Sequence, residues 1–233
     1  MQIGAKTDIG KVREQNEDTF GYRDNLFIVA DGMGGHQAGE VASAIAVESI
    51  LSAEIATTEA EIPSSLVAAV NKANTAIIAE TIKHPEISGM GTTLAIVLLL
   101  PQKAVVAHLG DSRVYHFAQG ILTQLTDDHS VVAELVRSGG LSEDEAKNHP
   151  QRNLLTRPLG GNNGIDLDIN IVPVSTGDKF LLCSDGLTGM VTDDSLKEYL
   201  SQNEAPQKIA DLLVEAANLN GGVDNITVIV LEV

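Results

Sequence analysis

The chain is short of cysteine, of basic residues and of long apolar stretches, and each shortage removes a class of protein. Cys183 is the single cysteine in 233 residues, so no intrachain disulfide can form, as suits a reducing compartment. It lies within an apolar run and reads as a small core residue, not a nucleophile. Fifteen Lys and Arg stand against 32 Asp and Glu, a formal charge of −17. A surface this acidic repels nucleic acid and anionic lipid, so neither is expected as a partner. Residues 1–10 have no basic start followed by an apolar core, so no signal peptide is expected. The longest aliphatic stretch, residues 94–100, is far below the ~20 residues needed to span a bilayer. No repeat or low-complexity linker interrupts the chain. These readings predict a cytoplasmic, globular, monomeric protein that does not insert into membranes.

Aspartates mark the apolar runs that are present. Residues 26–30 lead into Asp31-Gly32, residues 104–109 into Gly110-Asp111, and residues 180–183 into Ser184-Asp185-Gly186, while Asp224-Asn225 opens residues 226–231. The runs read as buried strands, which places their carboxylates at strand ends. Carboxylates brought together repel and need a cation, and oxygen-only ligands select Mg²⁺ or Mn²⁺ over zinc or copper. Asp-Gly alone is also a hairpin signal, but neither Asp31-Gly32 nor Asp185-Gly186 is followed at once by a second apolar run.

Periodicity predicts strands over 2–7, 19–23, 26–30, 92–100, 104–109, 113–117, 121–125, 166–173, 179–184 and 226–233. It predicts helices after residue 40, with Ala42, Ile45, Ala46, Ser49, Ile50 and Ala53 on one face, and from about Ser64 to a stop at Pro85. Shorter helices are expected over 131–137 and 142–148, the latter opened by the capping sequence Ser142-Glu143-Asp144-Glu145, and a C-terminal helix over 206–219. Residues 127–164, rich in Gly and Pro, read as an excursion from the core, not a separate domain. Two sheets packed face to face with helices outside would bury such strands on both faces.

The segment Ile28-Val29-Ala30-Asp31-Gly32-Met33-Gly34-Gly35-His36 resembles the signature of the metal-dependent protein phosphatases of the 2C type, the PPM family. So do Gly91-Thr92-Thr93, Gly110-Asp111-Ser112-Arg113, Cys183-Ser184-Asp185-Gly186-Leu187 and Gly222-Val223-Asp224-Asn225-Ile226-Thr227. These motifs stand in the family order and span nearly the whole chain. The short length and Asn148-His149-Pro150-Gln151-Arg152 resemble the minimal bacterial members, which reverse serine/threonine kinase signalling.

The resemblance implies an α+β fold, a four-layer α-β-β-α sandwich of two mostly antiparallel sheets. It makes residues 1–233 one catalytic domain, with a flap at 127–164 beside the active site. It further implies a dinuclear Mg²⁺ or Mn²⁺ centre. Asp31 would bridge both ions, the Gly32 carbonyl would bind one, and Asp185 and Asp224 would complete the first ion's protein ligands. Asp18 would act through water. Asp111, shared with Asp185, would hold a third, weaker ion. Arg13 matches the phosphate-binding arginine, although without the resemblance it reads as a surface residue. Glu17 is open between a role at the centre and a solvated loop acid.

Paired ions lower the pKa of a bridging water and supply hydroxide near neutral pH, which would attack phosphorus in line while the ions offset charge on the phosphoryl oxygens. Larger relatives carry a histidine where this chain has Met33. That leaves a metal-bound water as the expected proton donor and the role of His36 open, while His129 and His149 read as structural. The expected activity is hydrolysis of phosphoserine and phosphothreonine in proteins, among them a cognate kinase. Alternatives are a non-catalytic metal-binding module, or a phosphatase dedicated to one phosphoserine regulator. A calcium-binding structural protein is disfavoured, since no contiguous loop of closely spaced acids occurs.

Overall fold

Side chains on a strand point alternately to opposite faces, and in this chain both faces of the central strands are apolar. The computed structural model of the chain describes residues 1–34, 38–147, 149–161 and 164–233. Strands β1 (Gln2–Asp8), β7 (Arg113–Ala118), β8 (Ile121–Gln124), β10 (Lys179–Cys183) and β11 (Ile226–Glu232) form a first sheet in the order β1-β11-β10-β7-β8. Strands β2 (Asp18–Arg23), β3 (Leu26–Met33), β5 (Leu94–Leu100), β6 (Lys103–Leu109) and β9 (Asp168–Pro173) form a second in the order β2-β3-β5-β6-β9, with the short β4 (Gly91–Thr92) paired to β3. All the pairings are antiparallel.

Phe27, Val29, Ala95, Val97 and Val106 of the second sheet meet Val114, Phe180, Leu182, Ile229 and Leu231 of the first, forming the layer between the sheets. The alternate residues Leu26, Ile28, Ala30, Ile96 and Ala107 turn outward onto α1 (Gly39–Leu51) and α2 (Ile62–Lys83). On the other side Leu181, Cys183, Val228 and Val230 pack under α6 (Asp193–Ser201) and α7 (Pro206–Leu219). Burying one Val, Leu or Ile side chain stabilises by roughly 1.5–3 kcal/mol, so three apolar layers make the four-layer α-β-β-α sandwich stable. This is the α+β architecture expected from the motifs.

Differences from the sequence reading are local. The expected strand 92–100 is broken into β4 and β5 at Thr93, whose N–H donates to the Asp31 carbonyl at 2.9 Å. β3 does not stop before Asp31 but runs through Asp31-Gly32-Met33, because β4 continues the pairing on that edge. The first helix starts at Gly39, and Ala53 lies beyond its end. Two helices were not anticipated: α5 (Asp185–Thr188) and α6. Their sequence is polar, yet Thr192 caps α6 by accepting the Ser195 N–H at 3.4 Å, and Leu196 and Leu200 are buried beneath it. The excursion holds α3 (Val131–Arg137) and α4 (Glu143–Lys147). At the start of α4 the Ser142 N–H donates to Glu145 Oε2 at 2.9 Å and the Glu145 N–H to Ser142 Oγ at 3.3 Å, the reciprocal cap that the sequence predicts.

Candidate active site

Strand register brings the aspartates to one end of the sandwich. Asp18 opens β2 and pairs with Asp31 near the end of β3. β3, β5 and β6 run antiparallel in turn, so the last residues of β6 lie at the same end as Asp31. From there Gly110-Asp111-Ser112 carries the chain across to β7 in the other sheet. In that sheet Cys183, two residues before Asp185, pairs with both Arg113 and Val228, so Asp185 and the Asp224-Asn225 segment that leads into β11 meet at this same end.

The result is an open cleft of about 210 Å³ lined by Arg13, Glu17, Asp31, Gly32, Met33, Asp111, Asp185 and Asp224, with Asn153 and Leu155 reaching in from the excursion. Asp18 lies buried beside it and does not line it. Two glycines make the packing possible. A Cβ on Gly32 would sit 2.1 Å from the Gly39 carbonyl oxygen, and one on Gly186 would sit 1.9 Å from that of Asn225. The second approach seats the first turn of α5 against Asp224-Asn225.

The electrostatics of the cluster are those of like charges buried together. Burial pushes the Asp31 carboxyl well above its ordinary range, reinforced by Asp18, Asp185, Asp111 and Asp224. Burial raises Asp18 to about 7, although Ser184 and Thr227 hydrogen-bond its charged form. Burial, then Asp185, raises Asp111 to about 8, and burial, then Asp224, raises Asp185 to about 6. Glu17 is also pushed up by burial, against the pull of the Gly39 N–H. Among the described residues, none hydrogen-bonds the buried Asp18 Oδ1 atom. An oxygen-only donor set, crowded carboxylates and an orphaned carboxylate oxygen together fit hard divalent cations.

Side chains for which the sequence reading had assigned no role hold the acids in place. Thr93 Oγ1 accepts the Asp31 N–H at 2.9 Å and shares a 2.6 Å hydrogen bond with Ser112 Oγ. Thr92 Oγ1 donates to the Asp31 carbonyl at 2.8 Å. Ser184 Oγ donates to Asp18 Oδ2 at 2.7 Å. Asn225 Oδ1 accepts the Glu17 N–H at 2.8 Å, while its Nδ2 donates to the Ile9 and Gln15 carbonyls at 3.0 and 2.8 Å. That fastens the loop carrying Arg13. All of these residues are polar groups inside the quoted motifs, but the contacts join segments far apart in sequence, so no local pattern reveals them.

Arg13 lies at the rim with its Nη2 donating to Asp224 Oδ2 at 2.7 Å. That contact raises its pKa. His36 falls outside the described residues, as does Asn148. His149 makes a local contact, its Nδ1 accepting the Gln151 N–H at 3.2 Å. Cys183 is fully buried and burial pushes its thiol up to about 12, so it is no nucleophile at neutral pH. His108, His129 and Asp168 form a second group of ligand-type side chains, with atoms within 4.8 Å of one another. Arg157 Nη1 donates to that carboxylate at 3.2 Å, and the rings bond backbone groups of Asp127 and Gly110.

The chain matches the protein phosphatase 2C family over residues 11–216. It is 41% identical to the serine/threonine phosphatase Stp of Listeria monocytogenes, covering 100% of this chain and 96% of that protein. Its fold matches the crystal structure of the Mycobacterium tuberculosis serine/threonine phosphatase PstP/Ppp at a TM-score of 0.92 and 38% identity, covering 100% and 98% of the two chains. It also matches a PstP catalytic domain in complex with two manganese ions, at a TM-score of 0.90 and 36% identity, covering 99% and 97%.

Proposed function

The chain belongs to the protein phosphatase 2C family, and from that premise we infer that its acidic cleft hydrolyses phosphoserine and phosphothreonine in proteins. The observation that carries this reading is the convergence of Asp31, Asp111, Asp185 and Asp224 on one cleft with Arg13 at its rim.

Asp31, the Gly32 carbonyl, Asp185 and Asp224 would hold two Mg²⁺ or Mn²⁺ ions, with Asp18 acting through an intervening water and Asp111 serving a third, weaker ion. When bound, such ions make water nucleophilic near neutral pH and offset phosphoryl charge. The chain's own residues do the rest. Arg13 grips two phosphate oxygens with its planar fork, exchanging its present hold on Asp224 for the substrate. A water oxygen bonds to phosphorus as the bond to the serine or threonine oxygen breaks, and that oxygen takes up a proton. No covalent enzyme intermediate is needed, which agrees with the buried state of Cys183. Glu17 stands at the wall of the cleft, so its role belongs with the centre and not with a solvated loop.

Residues 1–233 act as one catalytic domain and residues 127–164 as its flap, where Asn153 and Leu155 face the substrate. The chain works in the cytoplasm as a monomer, in signalling, on phosphoproteins that include a cognate serine/threonine kinase.

Purified protein loaded with Mn²⁺ is expected to release phosphate from a phosphothreonine peptide, and to stop when EDTA is added. Asp31→Asn is expected to abolish turnover while the fold persists. Folded, Mn²⁺-loaded protein inert toward several phosphopeptides and p-nitrophenyl phosphate would leave the non-catalytic binding module as the better reading.

A further inference from the structure

At the root of the excursion one buried histidine holds both backbone polar groups of the residue that precedes Asp111. The His129 N–H donates to the Gly110 carbonyl at 2.9 Å, and its Nδ1 accepts the Gly110 N–H at 3.3 Å. Acceptance at Nδ1 leaves the ring proton on Nε2, which faces Asp168 Oδ2 at 3.1 Å. Asp168 Oδ1 is in turn held by Arg157, on the returning limb of the excursion. The neighbouring Thr156 donates its N–H to the His129 carbonyl at 2.8 Å. The ring is 3% exposed and stacks on His108 with centroids 4.6 Å apart. One position earlier, Asp128 takes the Arg113 guanidinium in a fork at 2.8 and 2.6 Å. The turn from Gly110 to Arg113 is thus gripped at both ends by consecutive residues of the excursion's outgoing limb, with Asp111 between the grips.

We propose that His129 is a positioning residue for Asp111: through Gly110 it sets the turn that aims this carboxylate into the cleft, and through Asp168 and Arg157 it ties that turn to the returning limb of the excursion. His129 touches neither substrate nor the reacting atoms. The proposal rests on Asp111 serving a weakly bound ion, as inferred above. It adds that the occupancy of that ion depends on a ring outside the cleft.

Two conservative variants separate the ring's two bonds. His129→Asn keeps an oxygen where Nδ1 accepts the Gly110 N–H but does not reach Asp168. His129→Gln reaches Asp168 but offers nothing to that N–H. Mn²⁺ binding is followed by calorimetry without substrate, and kcat and KM are measured as a function of Mn²⁺, for both variants, Asp111→Ala and the double variant Asp111→Ala/His129→Gln. The expected result is that His129→Gln shifts the weakest Mn²⁺ event at least severalfold and lowers kcat with KM little changed. His129→Asn, which keeps the Gly110 contact and loses only the Asp168 bond, should recover part of this, and the double variant should be no worse than Asp111→Ala, since coupled sites are not additive. Wild-type Mn²⁺ binding in His129→Gln beside an impaired Asp111→Ala would overturn the proposal and leave the Asp111 assignment standing. Wild-type behaviour of Asp111→Ala itself would remove that assignment and the proposal with it. Should His129→Gln not fold, Asp168→Ala, which removes the ring's other partner at a half-exposed carboxylate, tests the remaining part. A weakened Mn²⁺ event that disappears in the Asp111→Ala background supports the proposal, and wild-type binding overturns it.

Discussion

Asp31 shows what it costs a protein to assemble this cleft before any ion arrives. Its carboxyl is surrounded by the carboxyls of Asp18, Asp111, Asp185 and Asp224, and burial denies them water. Each shifted carboxyl has a folded-state pKa above its unfolded value, so between those two values the folded chain binds more protons than the unfolded one. Stability of the metal-free protein is therefore expected to fall as pH rises from the ordinary 3.8 through at least about 8, the value to which Asp111 is raised. Melting temperatures in EDTA should decline from pH 5 to pH 8, and saturating Mn²⁺ should flatten the decline. Asp31→Asn removes one of the repelling charges, so in EDTA at pH 8 it should melt higher than the parent chain although it is inactive; a lower melting temperature would count against the electrostatic account. Asp31, Asp111, Asp185 and Asp224 were legible in the sequence because each follows or precedes an apolar run, whereas Asp18 was legible only through the family resemblance. The hydroxyls of Thr93 and Ser184 that hold them were not, because their partners lie 62 and 166 residues away.

At the scale of elements, the loop carrying Arg13 has no regular structure of its own and borrows rigidity from β11. Asn225 supplies it with three hydrogen bonds from a side chain that is 5% exposed. Asn225→Ala would strip three part-buried backbone groups of this partner, at a cost of roughly 0.5–1.5 kcal/mol per hydrogen bond. It should also raise KM more than it lowers kcat, as Arg13 loses its station. Urea denaturation and Michaelis curves check the two halves, and an unchanged KM would dissociate Arg13 from substrate binding. Strands and long helices were readable because their apolar spacing repeats over several residues. α6 was not, because a short helix rich in Asp, Ser and Lys shows only Leu196 and Leu200 as an inward face. The break at Thr93 was hidden for the opposite reason: the apolar run continues past it, and only the contact with Asp31 interrupts the strand.

For the whole molecule, the charge of −17 sets the field in which substrates arrive. Phosphopeptides with Lys or Arg flanking the phosphorylated residue should show a higher kcat/KM than equally long peptides flanked by Asp or Glu. The gap should narrow as salt rises from 10 to several hundred mM, where the Debye length shrinks from about 30 Å to a few ångströms. A gap that is insensitive to salt would mean local contacts in the cleft, not the overall field, choose the sequence. The double-sheet architecture was legible from the doubly apolar strands alone. The order of strands within each sheet was not, because β-branched runs of equal length pair equally well until the connections are known.

That order places β1 beside β11, Gln2 opposite Glu232, with Asp224 supplied by the segment that leads into β11. During synthesis β1 therefore has no neighbour, and the cleft lacks one wall, until β11 has been made. Chains cut short upstream of Asp224 can neither close this sheet nor complete the cleft, and are expected to release no phosphate.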